Sequence, residues 1–137
     1  MALTHLVDTS VLTRLRLQPV REIIEPMAAA GELARAGISD LEIGYSARSA
    51  KEWDQVLDAL GAFELVETSS DHLRRARQVQ RLLASKHQRG RKIPDLLIAA
   101  AAEASNLAVL HYDADFDRIA AVTGQPVDWV LAAGSVD

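Results

Sequence analysis

The chain has 137 residues, 49% hydrophobic against 25% charged, and a net charge of −4. That is the composition of one packed globular domain, not of a disordered tail, and the acidic balance argues against a general nucleic-acid coat. Cysteine is absent, which removes disulfides, thiolate zinc sites and a cysteine nucleophile together. The longest apolar run, Leu96 to Ala102, is too short to span a bilayer. The opening Met1-Ala2-Leu3-Thr4-His5 lacks the basic and apolar segments of a signal peptide, so the expected location is the cytoplasm.

In chain order, Leu3 to Val7 reads as a first, central strand ending at Asp8. Thr9 to Leu17 places Val11, Leu12 and Leu15 on one helical face, and Pro19 opens a second helix that Gly31 ends. Glu32 to Ala36 is a short strand. Ser39 to Glu42 starts a helix whose Leu41, Ile43 and Tyr45 are expected on the packed face. Lys51 to Ala62 carries Trp53, Val56, Leu57 and Leu60 at helical spacing, and Glu64 to Glu67 is a brief strand. Ser70 caps a long helix to about Lys86, with Leu73, Ala76, Val79, Leu82 and Leu83 inward and its arginines outward. After a polar loop, Pro94-Asp95 opens an almost wholly apolar helix through Ala104. Leu107 to Tyr112 is a strand, Asp113 to Val122 a helix, and Val127 to Leu131 a last strand.

Strands alternating with helices, without a repeat or linker, predict an α/β fold. The expected form is a three-layer α/β/α sandwich around a mostly parallel central sheet, one domain over residues 1–137. Parallel strands deliver their C-terminal ends to one edge, where ligand crevices form. Asp8, Asp95 and the pair Asp113/Asp115 fall at strand ends or helix starts that this topology gathers there; Glu42 sits on a mid-chain helix. Each has a local explanation. Asp8 serves as an N-cap, Ser39-x-x-Glu42 matches a capping box, and Asp95 follows Pro94 at a helix N-terminus. Three carboxylates in Asp113-x-Asp115-x-Asp117 exceed what capping needs, although Asp117 has Arg118 beside it as a surface partner.

Taken together, unpaired carboxylates at ~5 Å would repel by about 3 kcal/mol a pair at an effective dielectric of ~20. A divalent cation removes that cost. Oxygen ligands without Cys or paired His suit Mg²⁺, with Mn²⁺ as a substitute, rather than Zn²⁺. Basic residues concentrate from Arg74 to Lys92, including Arg89, Arg91 and Lys92 just before Asp95; Arg14, Arg16 and Arg21 follow Asp8. They form either a solvated face or a phosphate-binding rim. Six aromatic residues, two each of Trp, Tyr and Phe, are too few for base stacking to be the main grip. No GxGxxG, P-loop or G-x-S-x-G occurs, and His5, His72, His87 and His111 lack metal-ligand spacing.

The segments Val7-Asp8-Thr9-Ser10, Ile93-Pro94-Asp95-Leu96-Leu97-Ile98-Ala99-Ala100 and Tyr112-Asp113-Ala114-Asp115-Phe116, with Glu42 between them, resemble the PIN-domain ribonucleases. Length and element order are similar to the VapC toxins of type II toxin–antitoxin modules. The resemblance implies a Mg²⁺- or Mn²⁺-dependent endoribonuclease silenced by a small antitoxin. It implies Asp8, Glu42, Asp95 and Asp113 as the acidic quartet, with Asp115 as an auxiliary ligand. On that basis Asp8, Asp95, Asp113 and Asp115 are the expected metal ligands, Glu42 orients or deprotonates water, and Arg14, Arg89, Arg91 and Lys92 bind RNA phosphates. One position departs: His111 stands where the family often has Thr.

Two rival readings are a PIN-like interaction module that has lost catalysis and a phosphotransfer or phosphatase enzyme on a similar sheet. The second lacks Asp-x-Asp after the first strand and any Lys beyond Lys92. Ile23, Ile24, Met27 and Trp53 read either as ordinary core or as a surplus that faces a second copy, as a homodimer, or the antitoxin.

Overall fold

The computed structural model describes residues 2–88 and 92–137; Arg89 and Arg91 lie outside them. Five strands among these residues form one wholly parallel sheet in the order β3-β2-β1-β4-β5. They are β1 (His5–Val7), β2 (Leu33–Ala36), β3 (Glu64–Val66), β4 (Ala108–His111) and β5 (Val127–Trp129). The helices are α1 (Thr9–Leu12), α2 (Gln18–Ala29), α3 (Gly37–Gly44), α4 (Ala50–Leu60), α5 (Ser70–Ser85), α6 (Ile93–Ala104) and α7 (Asp115–Thr123). The first strand is central, as its apolar pattern predicts.

Alternation along the strands makes two cores. Leu6, Ala34, Ala36 and Val109 face α5, α6 and α7, where Val79, Leu83, Ile98, Ala102, Phe116 and Ile119 close the layer. Val7, Leu33 and Leu110 face the opposite way, onto Val11, Leu12, Val20, Ile24 and Leu60. Burial on both faces accounts for strands that are nearly continuous apolar runs. The predicted α/β/α sandwich is therefore the observed one. Small residues let α6 lie flat on the sheet: Ala99, Ala100, Ala101 and Ala102 are all buried.

Several local expectations differ. The first helix stops at Leu12, and residues 13–17 turn back toward Pro19; Leu15 still packs on the second core, which is why its spacing looks helical. Helix α3 starts at Gly37 with no side-chain cap, and its Leu41 and Tyr45 are 65% and 92% exposed rather than packed. The α5 cap is Ser69, not Ser70: its Oγ accepts from the His72 N–H, while His72 Nδ1 accepts from the Ser69 N–H. Leu73 on that helix is exposed. Ile24 is core and Met27 packs against it, leaving only Ile23 and Trp53 of that expected surplus exposed. Trp53 lies so close to Gly44 that no Cβ would fit there. Nor do all the arginines of α5 face solvent alone: Arg75 forks onto Glu103 of α6 at 2.7 and 3.1 Å, and Arg74 pairs with Asp71.

Candidate active site

The strand order reverses between β1 and β4, and this switch point opens a crevice beyond the C-terminal ends of the strands. Register sets Val7 against Leu110, so Asp8 and Asp113 leave neighbouring strands side by side. Two bonds bind the strand ends together: Asp8 N–H donates to the Leu110 carbonyl (2.9 Å) and Tyr112 N–H to Ser10 Oγ (2.9 Å). The N-terminus of α6 brings Asp95 and Lys92 to the same place. The resulting cleft, about 450 Å³, is lined by Asp8, Thr9, Ser10, Thr13, Arg14, Glu42, Lys92, Asp95, Tyr112 and Asp113. All four residues of the expected acidic quartet thus share one cleft.

Oxygens of Asp95, Asp113 and Asp115 lie within 4.8 Å of one another. Asp8 is buried and divides its oxygens: Oδ2 caps α1 by accepting from the Ser10 N–H at 3.0 Å, and Oδ1 has no hydrogen-bond partner. Asp95 is also buried, with Oδ2 lacking a partner. Buried acceptors without donors are costly and ordinarily find a proton or a cation. Burial pushes the Asp95 carboxyl up to about 8, reinforced by the charges of Asp8 and Asp113. Burial also raises Asp8, against its bonds from Ser10. Burial works to raise Asp113, but the Asp115 N–H (2.9 Å) and the Lys92 ammonium (3.1 Å) outweigh it and hold Asp113 below the usual range. A site containing one strongly ionised carboxylate beside two reluctant ones is poised to exchange protons for a cation. The donors are all oxygens, and the orphaned Asp8 Oδ1 and Asp95 Oδ2 are atoms a hard divalent ion would satisfy, so the residues fit such an ion.

Lys92 stands within the acidic cluster, paired with Asp113, rather than on an outer rim; that bond raises its own affinity for a proton. Arg14 lines the cleft but already donates to the carbonyls of Ser10 and Asp137. Glu42 is exposed at the mouth, and the expected capping box with Ser39 does not form. Ser39 is fully buried inside α3 and bonds the Thr9 hydroxyl (2.8 Å), which in turn donates to Glu42 Oε1 (2.7 Å). Thr9 therefore fixes the orientation of Glu42 across 33 positions, a link no local pattern announces. Thr9→Val should slow single-turnover catalysis at this site about tenfold, and Thr9→Ser should keep it near wild type. Equal rates in all three proteins would detach Thr9 from the chemistry.

His111 is fully buried between the Phe116 and Trp129 rings, with centroids 5.1 and 4.9 Å away. Its Nδ1 accepts from the Asp113 N–H at 3.2 Å, so the ring supplies the acceptor that a threonine hydroxyl would offer. Burial lowers its pKa, keeping it neutral and able to accept. Asp117 accepts from Trp129 Nε1 (3.1 Å) and faces the His111 ring; Arg118 pairs with Asp115 instead.

Comparison with known proteins identifies relatives of the whole chain. Ribonuclease VapC51 of Mycobacterium tuberculosis (strain ATCC 25618 / H37Rv) is 60% identical over 137 residues, covering 100% of both chains. Ribonuclease VapC21 of the same strain is 46% identical over 138 residues, covering 98% of this chain and 99% of its own. The fold superposes on VapBC2 from Rickettsia felis bound to a DNA fragment from their promoter, with TM-score 0.76, 19% identity and coverage of 94% and 98%. Residues 5–122 match the PIN domain, and the chain belongs to the PIN-domain family, among the VapC proteins.

Proposed function

We propose that this chain is a metal-dependent endoribonuclease that hydrolyses RNA phosphodiester bonds as the toxin of a toxin–antitoxin pair, with Mg²⁺ as its ion and Mn²⁺ as a substitute. The observation that carries the reading is the meeting of Asp95, Asp113 and Asp115, the first two of which line one cleft with Asp8 and Glu42. The relatives named ribonucleases, at 60% and 46% identity over nearly the whole chain, support the activity. Residues 1–137 act as one PIN-like unit.

Asp8, Asp95, Asp113 and Asp115 would hold the ion, which would supply water acidification and charge neutralisation at the scissile phosphate. Glu42 Oε1 is committed to Thr9, which leaves Oε2 to accept the proton of the attacking water. Arg14, Arg89 and Arg91 bind phosphates of the RNA, while Lys92 stays on Asp113. Water is the nucleophile, so the 2′-hydroxyl takes no part and RNA preference comes from shape and phosphate contacts.

The partners are RNA, a cognate antitoxin and a second copy of the chain. Known VapBC structures, such as DNA-bound VapBC from Salmonella typhimurium, support the antitoxin by analogy. Exposed Ile23, Leu41, Tyr45 and Trp53 offer apolar contact for protein partners. No helix among the described residues is long and apolar enough to cross a membrane; we place the activity in the cytoplasm.

Sequencing RNA ends after brief expression of the chain tests the chemistry. Hydrolysis by water leaves a phosphate on one product and a hydroxyl on the other, without a cyclic intermediate. Ends carrying 2′,3′-cyclic phosphate would overturn the reading, and so would intact RNA, which points to the silent module.

A further inference from the structure

We propose that Tyr112 and the segment 132–137 position Arg14, holding its guanidinium at the edge of the acidic cleft as a preformed phosphate clamp. This rests on the reading of Arg14 as a phosphate-binding residue. Three contacts fix that side chain. Nη1 donates to the Ser10 carbonyl at 2.8 Å, Nε donates to the Asp137 carbonyl at 2.8 Å, and the guanidinium carbon sits 4.8 Å from the centre of the Tyr112 ring. The tail that supplies the Asp137 carbonyl is itself latched. The Tyr112 hydroxyl donates to the Val136 carbonyl (2.7 Å) and accepts from the Val136 N–H (3.1 Å), so one hydroxyl holds both backbone groups of one residue. Arg16 adds a looser contact to the Asp137 carboxylate at 3.5 Å.

Arg14 and Tyr112 both line the cleft that contains Asp8, Asp95 and Asp113. A flexible guanidinium there would collapse onto those carboxylates and be neutralised by them. Among the described residues Arg14 makes no ion pair with any of them; the backbone oxygens of Ser10 and Asp137 and a ring face hold it instead. A guanidinium has five N–H donors, and the two bonds to carbonyls leave the others for an anion. Its rotamer freedom is lost on folding rather than on binding RNA, so each phosphate contact costs less to form. The latch thereby sets affinity for the backbone without touching it.

The test is a double-mutant cycle read by fluorescence anisotropy. The probe is a short labelled single-stranded RNA of mixed sequence, titrated in EDTA over a KCl series, with melting temperatures taken in parallel. Arg14→Ala should weaken binding about tenfold and reduce the salt slope by about 0.7. Tyr112→Phe keeps the ring but releases the tail, and should weaken binding about threefold. The double variant should bind like Arg14→Ala alone. Val136→Pro, which removes the N–H from the latch, should match Tyr112→Phe and carries the test if the latter fails to fold. Unchanged affinity and slope in Arg14→Ala would remove the underlying reading of Arg14 and the clamp with it. Weakened binding in Arg14→Ala with wild-type binding in the latch variants would leave that reading standing and overturn the positioning role. A latch effect that persists in full without Arg14, or that lowers the melting temperature alone, would also overturn it.

Discussion

Replacing Asp95 with Asn should reduce RNA cleavage about 10³-fold or more while raising the melting temperature of the protein in EDTA. The two effects come from one group. Asp95 sits in the first turn of α6, buried, with Oδ2 lacking a donor and its carboxyl pushed up to about 8 by burial and by Asp8 and Asp113. Asn has the same shape but brings no charge to a crowded site, and its amide can donate to the neighbouring carboxylates. It cannot replace an anionic ligand, and losing a charged group that stabilises the transition state is a loss of this order. The sign of the stability effect follows from proton linkage. The native carboxyl keeps its proton up to about pH 8, whereas the unfolded one releases it near 3.8. Between those values the native carboxyl binds more protons, so the contribution of Asp95 to stability is greatest at the acid end and falls as pH rises. The melting-temperature gain of Asp95→Asn should therefore be small at pH 4, grow with pH and level off near pH 8. Residual wild-type cleavage would remove Asp95 from the site; a pH-independent loss of stability would show that its carboxyl is structurally required.

The architecture and the acidic centre were legible because both follow from position along the chain. A parallel sheet sends every strand end to one edge, so Asp8 after β1 and Asp113 after β4 had to approach once the elements were assigned. For Asp8 the local and functional explanations do not exclude each other: Oδ2 caps α1, Oδ1 is buried without a partner, and the residue lines the cleft. Glu42 was legible as a residue but not in its bonding. The Ser39-x-x-Glu42 spacing describes a capping box, but α3 begins two residues earlier and Ser39 is buried against Thr9, so tertiary packing overrides the local motif. Arg14 bonds Ser10 within its own turn, but its other partners, Asp137 and the Tyr112 ring, lie beyond the reach of any periodicity. Lys92 read as part of a basic run, whereas proximity to Asp113 puts it among the acids. Exposed Leu41 and Tyr45 failed for a related reason: helical spacing locates an apolar face but does not say whether this chain covers it.

The same carboxyl chemistry predicts that divalent-ion binding is coupled to proton release. Asp113 is already ionised near neutrality, held low by the Asp115 N–H and Lys92, whereas Asp95 and Asp8 are held up by burial. A divalent ion bound at Asp95 must take the place of at least the Asp95 proton. Apparent affinity should then rise by up to about tenfold per pH unit and flatten near pH 8, where that proton is lost anyway. At an ion concentration of about 100 times Kd, stabilisation is about 2.7 kcal/mol, or roughly 10 °C for a chain of this size. His111 opposes the trend below its ordinary value: burial lowers its pKa, so the unfolded chain takes up the extra proton there and stability rises with pH through that window. Measurements from pH 6.5 to 8.5 avoid it. Calorimetry in buffers of different ionisation enthalpy should register protons released per ion bound, and Asp95→Asn should release fewer. Ion binding with no proton release and no dependence on pH would mean that the ion sits away from Asp95. In the expected case the Asp95 contribution favours the ion-free chain in acid, whereas the ion adds most stability in mild base. Crowded surface carboxylates alone would give only the first of those slopes.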